Sequence, residues 1–170
     1  MLFLNSGHSY ASELSKSSAT LSNSTSSAQR DIRAQVLRGY LDRYNSPLAA
    51  YSEDFVKSAD RYRLDWKLVA AISGLESTFG QQIPYNSYNG WGWGIYGDNV
   101  IRFKSWPEAI DTISKGLRYN YLKETAESNP YIIGPTYAAS PTWAQRVSFF
   151  MQQIEEYRLR NAKSSLTLTI

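Results

Sequence analysis

The chain has 170 residues, 42% of them hydrophobic, with 18 Lys and Arg against 15 Asp and Glu, a net charge of +3 and a pI near 9.0. That length suits one domain with a real core, and no apolar run approaches the about 18 residues a membrane span needs. Cysteine is absent and the single histidine is His8, which excludes disulfides, thiolate chemistry, imidazole-based triads and a His-built zinc site. The charges are mixed along the chain rather than gathered in a block, so no nucleic-acid footprint is expected. Carboxylates and phenols carry whatever chemistry remains.

In chain order, residues 1–28 are Ser-rich and without periodicity, and read as a disordered tail or the remnant of a signal peptide. The opening MLFLNSGHSYA supplies Ser9 and Ala11 as small residues before a cleavage point, but has no basic start and too short an apolar run. A domain is expected over 29–163, with a short tail at 164–170. Residues 30–44 put Ile32, Val36, Leu37 and Tyr40 on one helical face, and 47–62 do the same with Leu48, Tyr51, Phe55, Val56 and Ala59. Asp65 is placed to cap a third helix through WKLVAAISGLESTF, with Gly80 as its end. Ser105-Trp-Pro-Glu reads as a capping box opening a fourth helix that carries Trp106, Ile110, Ile113, Leu117 and Tyr121. A fifth begins at Ser140-Pro141 and runs to about Asn161, burying Val147, Phe150, Met151 and Ile154. Between the third and fourth helices, Gly97-Asp98-Asn99 reads as a turn, with Trp93 and Ile95 facing Val100, Ile101 and Phe103 as short strands. The expected fold is mainly α, about five helices with one small β-hairpin.

Glu76 stands out within this pattern. At 100° per residue it falls beside Val69, Ile72 and Phe79, on the apolar stripe of its helix. Apolar surroundings and the negative end of the helix dipole both favour the protonated acid, the form a general acid needs. A Glu in a last turn can also fray into solvent. Against that, no Lys or Arg follows at i+3 or i+4, and an aromatic loop begins just after Gly80.

That loop holds Tyr85, Tyr88, Trp91, Trp93 and Tyr96 within twelve residues, interleaved with Asn86, Asn89, Gly90, Gly92 and Gly94. Rings of this kind either cover the flat faces of sugars, with amides on the hydroxyls, or pack a core. Further on, Tyr137 precedes the Ser-Pro helix start, as a hydroxyl reaching a site or as a staple packed on the helix.

Four segments taken together resemble a known family. LVAAISGLESTFG is similar to the helix of lysozyme-like peptidoglycan hydrolases, in which a Glu-Ser pair ends the helix and the Glu is the catalytic acid. SYNGWGWGIYG resembles the Asn-rich Phe-Gly-Ile segment of the glucosaminidase branch, glycoside hydrolase family 73, with Trp93 in the Phe position. FKSWPEAI resembles that branch's Phe-x-x-Tyr-x-Ser passage. TYAASPTWAQRV resembles its Tyr-Ala-x-Asp-Pro-x-Tyr-x-x-x-Val motif, with Ser140 for Asp and Trp143 for Tyr.

The resemblance spans about residues 66 to 155. It implies a lysozyme-like fold with the hairpin flanking a groove for peptidoglycan glycan strands, Glu76 as general acid and Tyr137 near the cleavage point. It further implies Ser77, Tyr88, Asn89, Trp91, Trp93, Tyr96 and Trp143 along the substrate. Such a protein needs no cofactor or metal, acts outside the cytoplasm of a bacterium or from a phage, as a monomer, and neither binds nucleic acid nor inserts stably in a membrane. A second carboxylate is usual in such hydrolases, and Asp98 is the one the hairpin offers. Its absence elsewhere leaves open a lytic transglycosylase, which uses one Glu and the substrate's own hydroxyl. A glycan-binding module without catalysis and a helical adaptor with exposed aromatics are the readings from other classes.

Overall fold

A computed structural model describes residues 31–94, 100–122 and 127–167, with side chains as far as 163. The Ser-rich segment, Tyr96, Asp98 and the turn around Gly97 lie outside the described residues. The described residues form six α-helices.

Helix α1 (Ile32–Asp42) buries Ala34, Val36, Leu37, Tyr40 and Leu41. Ile32, expected on the same face, is exposed, because it opens the first turn at the domain's edge. A 3-10 turn (Pro47–Tyr51) leads into α2 (Ser52–Arg61), so the single helix expected over 47–62 is two pieces. Ser46 sets that start: its Oγ accepts from Leu48 N at 3.0 Å and donates to Phe79 O at 2.7 Å.

Helix α3 (Leu68–Ser77) is buried along most of its length, as expected of a helix apolar on nearly every side. Asp65 Oδ1 accepts from Lys67 N at 2.9 Å just before it. Gly80 does not end the helix. Thr78 and Phe79 both take left-handed backbone angles, with φ of 51° and 57°, and Phe79 N donates to Ser73 O at 3.0 Å. The reversal folds the Phe79 ring back onto Gly74, where a Cβ would stand 2.5 Å from the ring. The ring then meets Tyr40, Tyr44 and Phe150, the closest at 4.6 Å between centroids.

Helix α4 (Trp106–Gly116) starts with its capping box: Glu108 N donates to Ser105 Oγ, and Lys104 N donates to Glu108 Oε2 at 2.6 Å. It continues into one π-helical turn (Leu117–Tyr121), a widening often found beside functional sites. Helix α5 (Pro130–Tyr137) has no counterpart among the expected elements. Pro130 takes its first turn, where a missing N–H costs nothing, and Asn129 Oδ1 caps it by accepting from Tyr131 N at 2.9 Å. Helix α6 (Trp143–Thr167) begins at Trp143 and runs past Asn161 into the expected tail.

Helix α3 is the axis. It packs along α6, while α2 packs on α4 and α5 on α6. One continuous core joins Leu37, Tyr40, Leu48, Phe55, Leu68, Ile72, Trp91, Ile110, Ile113, Leu117, Val147 and Ile154.

The expected β-hairpin is not seen among the described residues, which contain no strand. The polar groups that a ladder would pair are taken by a side chain instead. Asn89 Oδ1 accepts from Trp93 N at 3.0 Å, and its Nδ2 donates to Trp93 O at 2.8 Å and Ile101 O at 3.0 Å. Asn89 thus stands between the two segments where a strand pair would have formed.

Candidate active site

The left-handed end of α3 decides what Glu76 faces. Val69, Ile72 and Phe79 are buried as the stripe requires, but Glu76 itself is exposed. The apolar enclosure expected of it is therefore absent on its outer side. The reason is local: α3 ends one residue later and its chain turns away, so no further helical turn covers the carboxylate. Its inner side is held. Trp143 Nε1, from the first residue of α6, donates to Glu76 Oε1 at 2.8 Å. Glu76 Oε2 lies toward Gly92, 3.8 Å from where a Cβ would be. Gly92 has φ of 64°, a left-handed value that favours glycine.

Four rings form a chain that meets this carboxylate through Trp143. Tyr137 lies 4.7 Å from Trp143, tilted by 31°, 5.4 Å from Tyr121 and 6.2 Å from Trp93. Trp93 lies 5.8 Å from Tyr121, its ring settled on Gly116, where a Cβ would stand 2.5 Å from Cζ2. The Tyr137 hydroxyl donates to Trp91 O at 2.9 Å. Burial first, then the charges of Glu76 and Tyr121, push the Tyr137 phenol well above its ordinary value. It stays a neutral hydrogen-bond donor at physiological pH.

The other residues expected at substrate sit behind this surface. Ser77 is 3% exposed; its Oγ accepts from Gly80 N at 2.8 Å and shares its proton between Gly90 O at 2.8 Å and Ser73 O at 3.0 Å. It brackets the loop to the helix and has no group left to offer. Asn89 is 2% exposed and fully engaged as described above. Trp91 is 1% exposed, donates from Nε1 to Val69 O at 2.8 Å, and packs against Phe55 and Trp106. All three are corrections to the sequence reading: a buried polar group must find a partner, and these found theirs in the protein. Tyr88 is half-buried and stands edge-on to Trp106 at 5.5 Å, apart from the four rings.

The structure thus brings together Glu76, Tyr137, Trp143 and Trp93, and adds Tyr121 and Gly92. Tyr121 had been read only as an apolar helix position. The π-helical turn, which periodicity does not announce, sets its place. The carboxylates of neighbouring helices are committed elsewhere. Asp111 on α4 accepts from Arg61 at 2.6 Å and from Tyr62 at 3.0 Å. Glu108 serves its capping box, and Glu155 pairs with Arg158 at 2.6 Å. Among the described residues no cluster of His, Asp and Glu could hold a metal ion, and no helix is long and apolar enough to cross a membrane. No protein-family model matches the sequence, and no curated protein matches it.

Proposed function

We propose that the protein cleaves the β-1,4-linked glycan strands of peptidoglycan, as an endo-β-N-acetylglucosaminidase-type hydrolase, with Glu76 as general acid. The observation that carries this reading is the exposed carboxylate of Glu76, held on one oxygen by Trp143, whose ring joins those of Tyr137, Tyr121 and Trp93. Aromatic faces suit the C–H faces of pyranose rings, and a carboxylic acid within reach of a glycosidic oxygen is what the reaction requires. Its substrate lies outside the cytoplasm, so the reading carries export with it.

The chemistry begins with transfer of the Glu76 proton to the glycosidic oxygen. The bond from that oxygen to the anomeric carbon breaks, its electron pair staying on the oxygen, which leaves as a hydroxyl. Water then adds to the anomeric carbon and gives up one proton to a carboxylate. A lytic variant, which needs no second carboxylate, is the second reading: among the described residues Glu108, Asp111 and Glu155 are engaged elsewhere, and Asp98 lies outside them. In that variant a hydroxyl of the muramic residue itself adds, closing a 1,6-anhydro ring, and its proton returns to Glu76.

The test is to incubate purified sacculi with the wild type and with Glu76→Gln, and to weigh the released fragments. The wild type should release soluble fragments and Glu76→Gln should not. Fragment masses separate the two chemistries by one water. Full release by Glu76→Gln would reject the reading.

A further inference from the structure

The contact between Trp143 and Glu76 has a chemical consequence. An indole N–H donates and never accepts. Whichever oxygen of Glu76 meets Trp143 Nε1 must therefore offer a lone pair along that line in both protonation states. In the carboxylic acid the carbonyl oxygen is the stronger acceptor, so the donor favours the carbonyl at that position and the proton on the other. Trp143 Nε1 meets Oε1 at 2.8 Å, which leaves Oε2 as the place for the proton of the acid form, and Oε2 is the oxygen on the side of Gly92.

The indole is well held for this task. Trp143 is 3% exposed, and the Tyr137 ring lies against it at 4.7 Å and 31°. Tyr137 is itself tied to Trp91 O at 2.9 Å. Trp143 is not free to leave Oε1 without breaking this stack. The backbone at Gly92 presents no Cβ toward Oε2, and a methyl there would reach van der Waals contact with it.

We infer that Trp143 is a positioning residue that pins Oε1 and places the proton of Glu76 on Oε2, so that the scissile oxygen is received over Gly92. This rests on the glycan-cleaving reading of the site. It differs from a substrate platform, the role the sequence resemblance implied for Trp143, because the ring is covered and its one polar atom is spent on Glu76.

Two measurements on the full chain test it. Trp143→Phe keeps a ring against Tyr137 and removes the donor. On soluble, uncrosslinked glycan strands its kcat should fall about tenfold to hundredfold, the scale of a misoriented catalytic group, with KM held within about twofold. A kcat equal to wild type would overturn the inference, as would a loss confined to KM, which is the mark of a substrate platform. The second measurement needs no change at Trp143. The indole N–H proton resonance of Trp143, assigned through its contacts with the Tyr137 ring, should move upfield in Glu76→Ala as the hydrogen bond is lost. A resonance that stays in place would overturn the inference even if Trp143→Phe failed to fold. Turnover retained by Glu76→Gln would instead sink the glycan reading, while the resonance still reports whether the contact exists.

Discussion

Trp91 and Trp143 are both sunk into the protein, and each donates its indole N–H at 2.8 Å, but to different kinds of partner. Trp91 gives its proton to a backbone carbonyl of α3 and packs among Phe55 and Trp106, in the core. Trp143 gives its proton to the carboxylate of Glu76 and stacks on Tyr137, at the edge of the core. The two regions share residue types, and their rings are linked through the Tyr137 hydroxyl on Trp91 O. What separates them is the kind of acceptor, a backbone carbonyl in one case and a side-chain carboxyl group in the other. A ring that satisfies a carbonyl secures the fold. A ring that satisfies a half-exposed carboxylate orders a group that still has a free side.

That contrast can be broken from either end. The largest effect is expected at the core. Trp91→Ala removes a fully buried ring and orphans a hydrogen bond, and should cost about 3–5 kcal/mol of stability, read as the midpoint of urea unfolding. At the ring cluster, Gly116→Ala would press a methyl into Trp93, whose ring already occupies that space. Overpacking of this kind costs about 1–3 kcal/mol, and the variant should lose turnover on glycan strands as well as stability, because Trp93 is displaced. Trp91→Ala, judged at a temperature where it is folded, should not show a comparable loss per folded molecule.

The smallest effect sharpens the link between the two regions. Tyr137→Phe keeps the ring and removes the bond to Trp91 O, costing about 1 kcal/mol. Its pH dependence carries a sign. The phenol is held above its ordinary value of 10.0 in the folded protein. Above that pH the unfolded chain has lost a proton that the folded chain keeps, so stability falls as pH rises past about 10. Tyr40 and Tyr62 are raised in the same direction, first by burial, so the fall has several contributors. Thermal melts between pH 8 and pH 11 (roughly, the range set by the free phenol) should show a shallower alkaline fall in Tyr137→Phe than in wild type. Parallel profiles would mean that the phenol is not held in this way.

The parts of the molecule that were legible in the sequence are those set by periodicity and caps. The apolar faces of α1, α2, α4 and α6, the Ser105 capping box and the bulk of α3 follow from the spacing of their residues. Helix α5 was not legible, because Pro130, Gly134 and Pro135 read as breakers while their placement in the helix depends on the Asn129 cap and on packing against α6. The turn signal of Gly97-Asp98-Asn99 suggests flanking strands, but among the described residues a single buried amide, Asn89, bonds the backbone of Trp93 and Ile101 instead.

At the candidate site, Glu76 was legible as an acid out of place on an apolar stripe. Its exposure was legible only as the alternative of a last-turn Glu that frays into solvent; the two consecutive left-handed residues after it, Thr78 and Phe79, neither of which is glycine, were not. The division of the aromatic loop into a buried Trp91 and a half-buried Trp93 was equally hidden. Both flank glycines, and only the three-dimensional path of the loop sends one ring inward to Val69 O and the other over Gly116.

The most direct measurement compares binding and turnover in one variant. Glu76→Gln changes an acid to an amide of the same shape, so its affinity for sacculi should stay within about twofold of wild type, while its release of soluble glycan fragments should fall by about a thousandfold or more. Release at the wild-type rate from that variant would contradict the account, whatever its affinity.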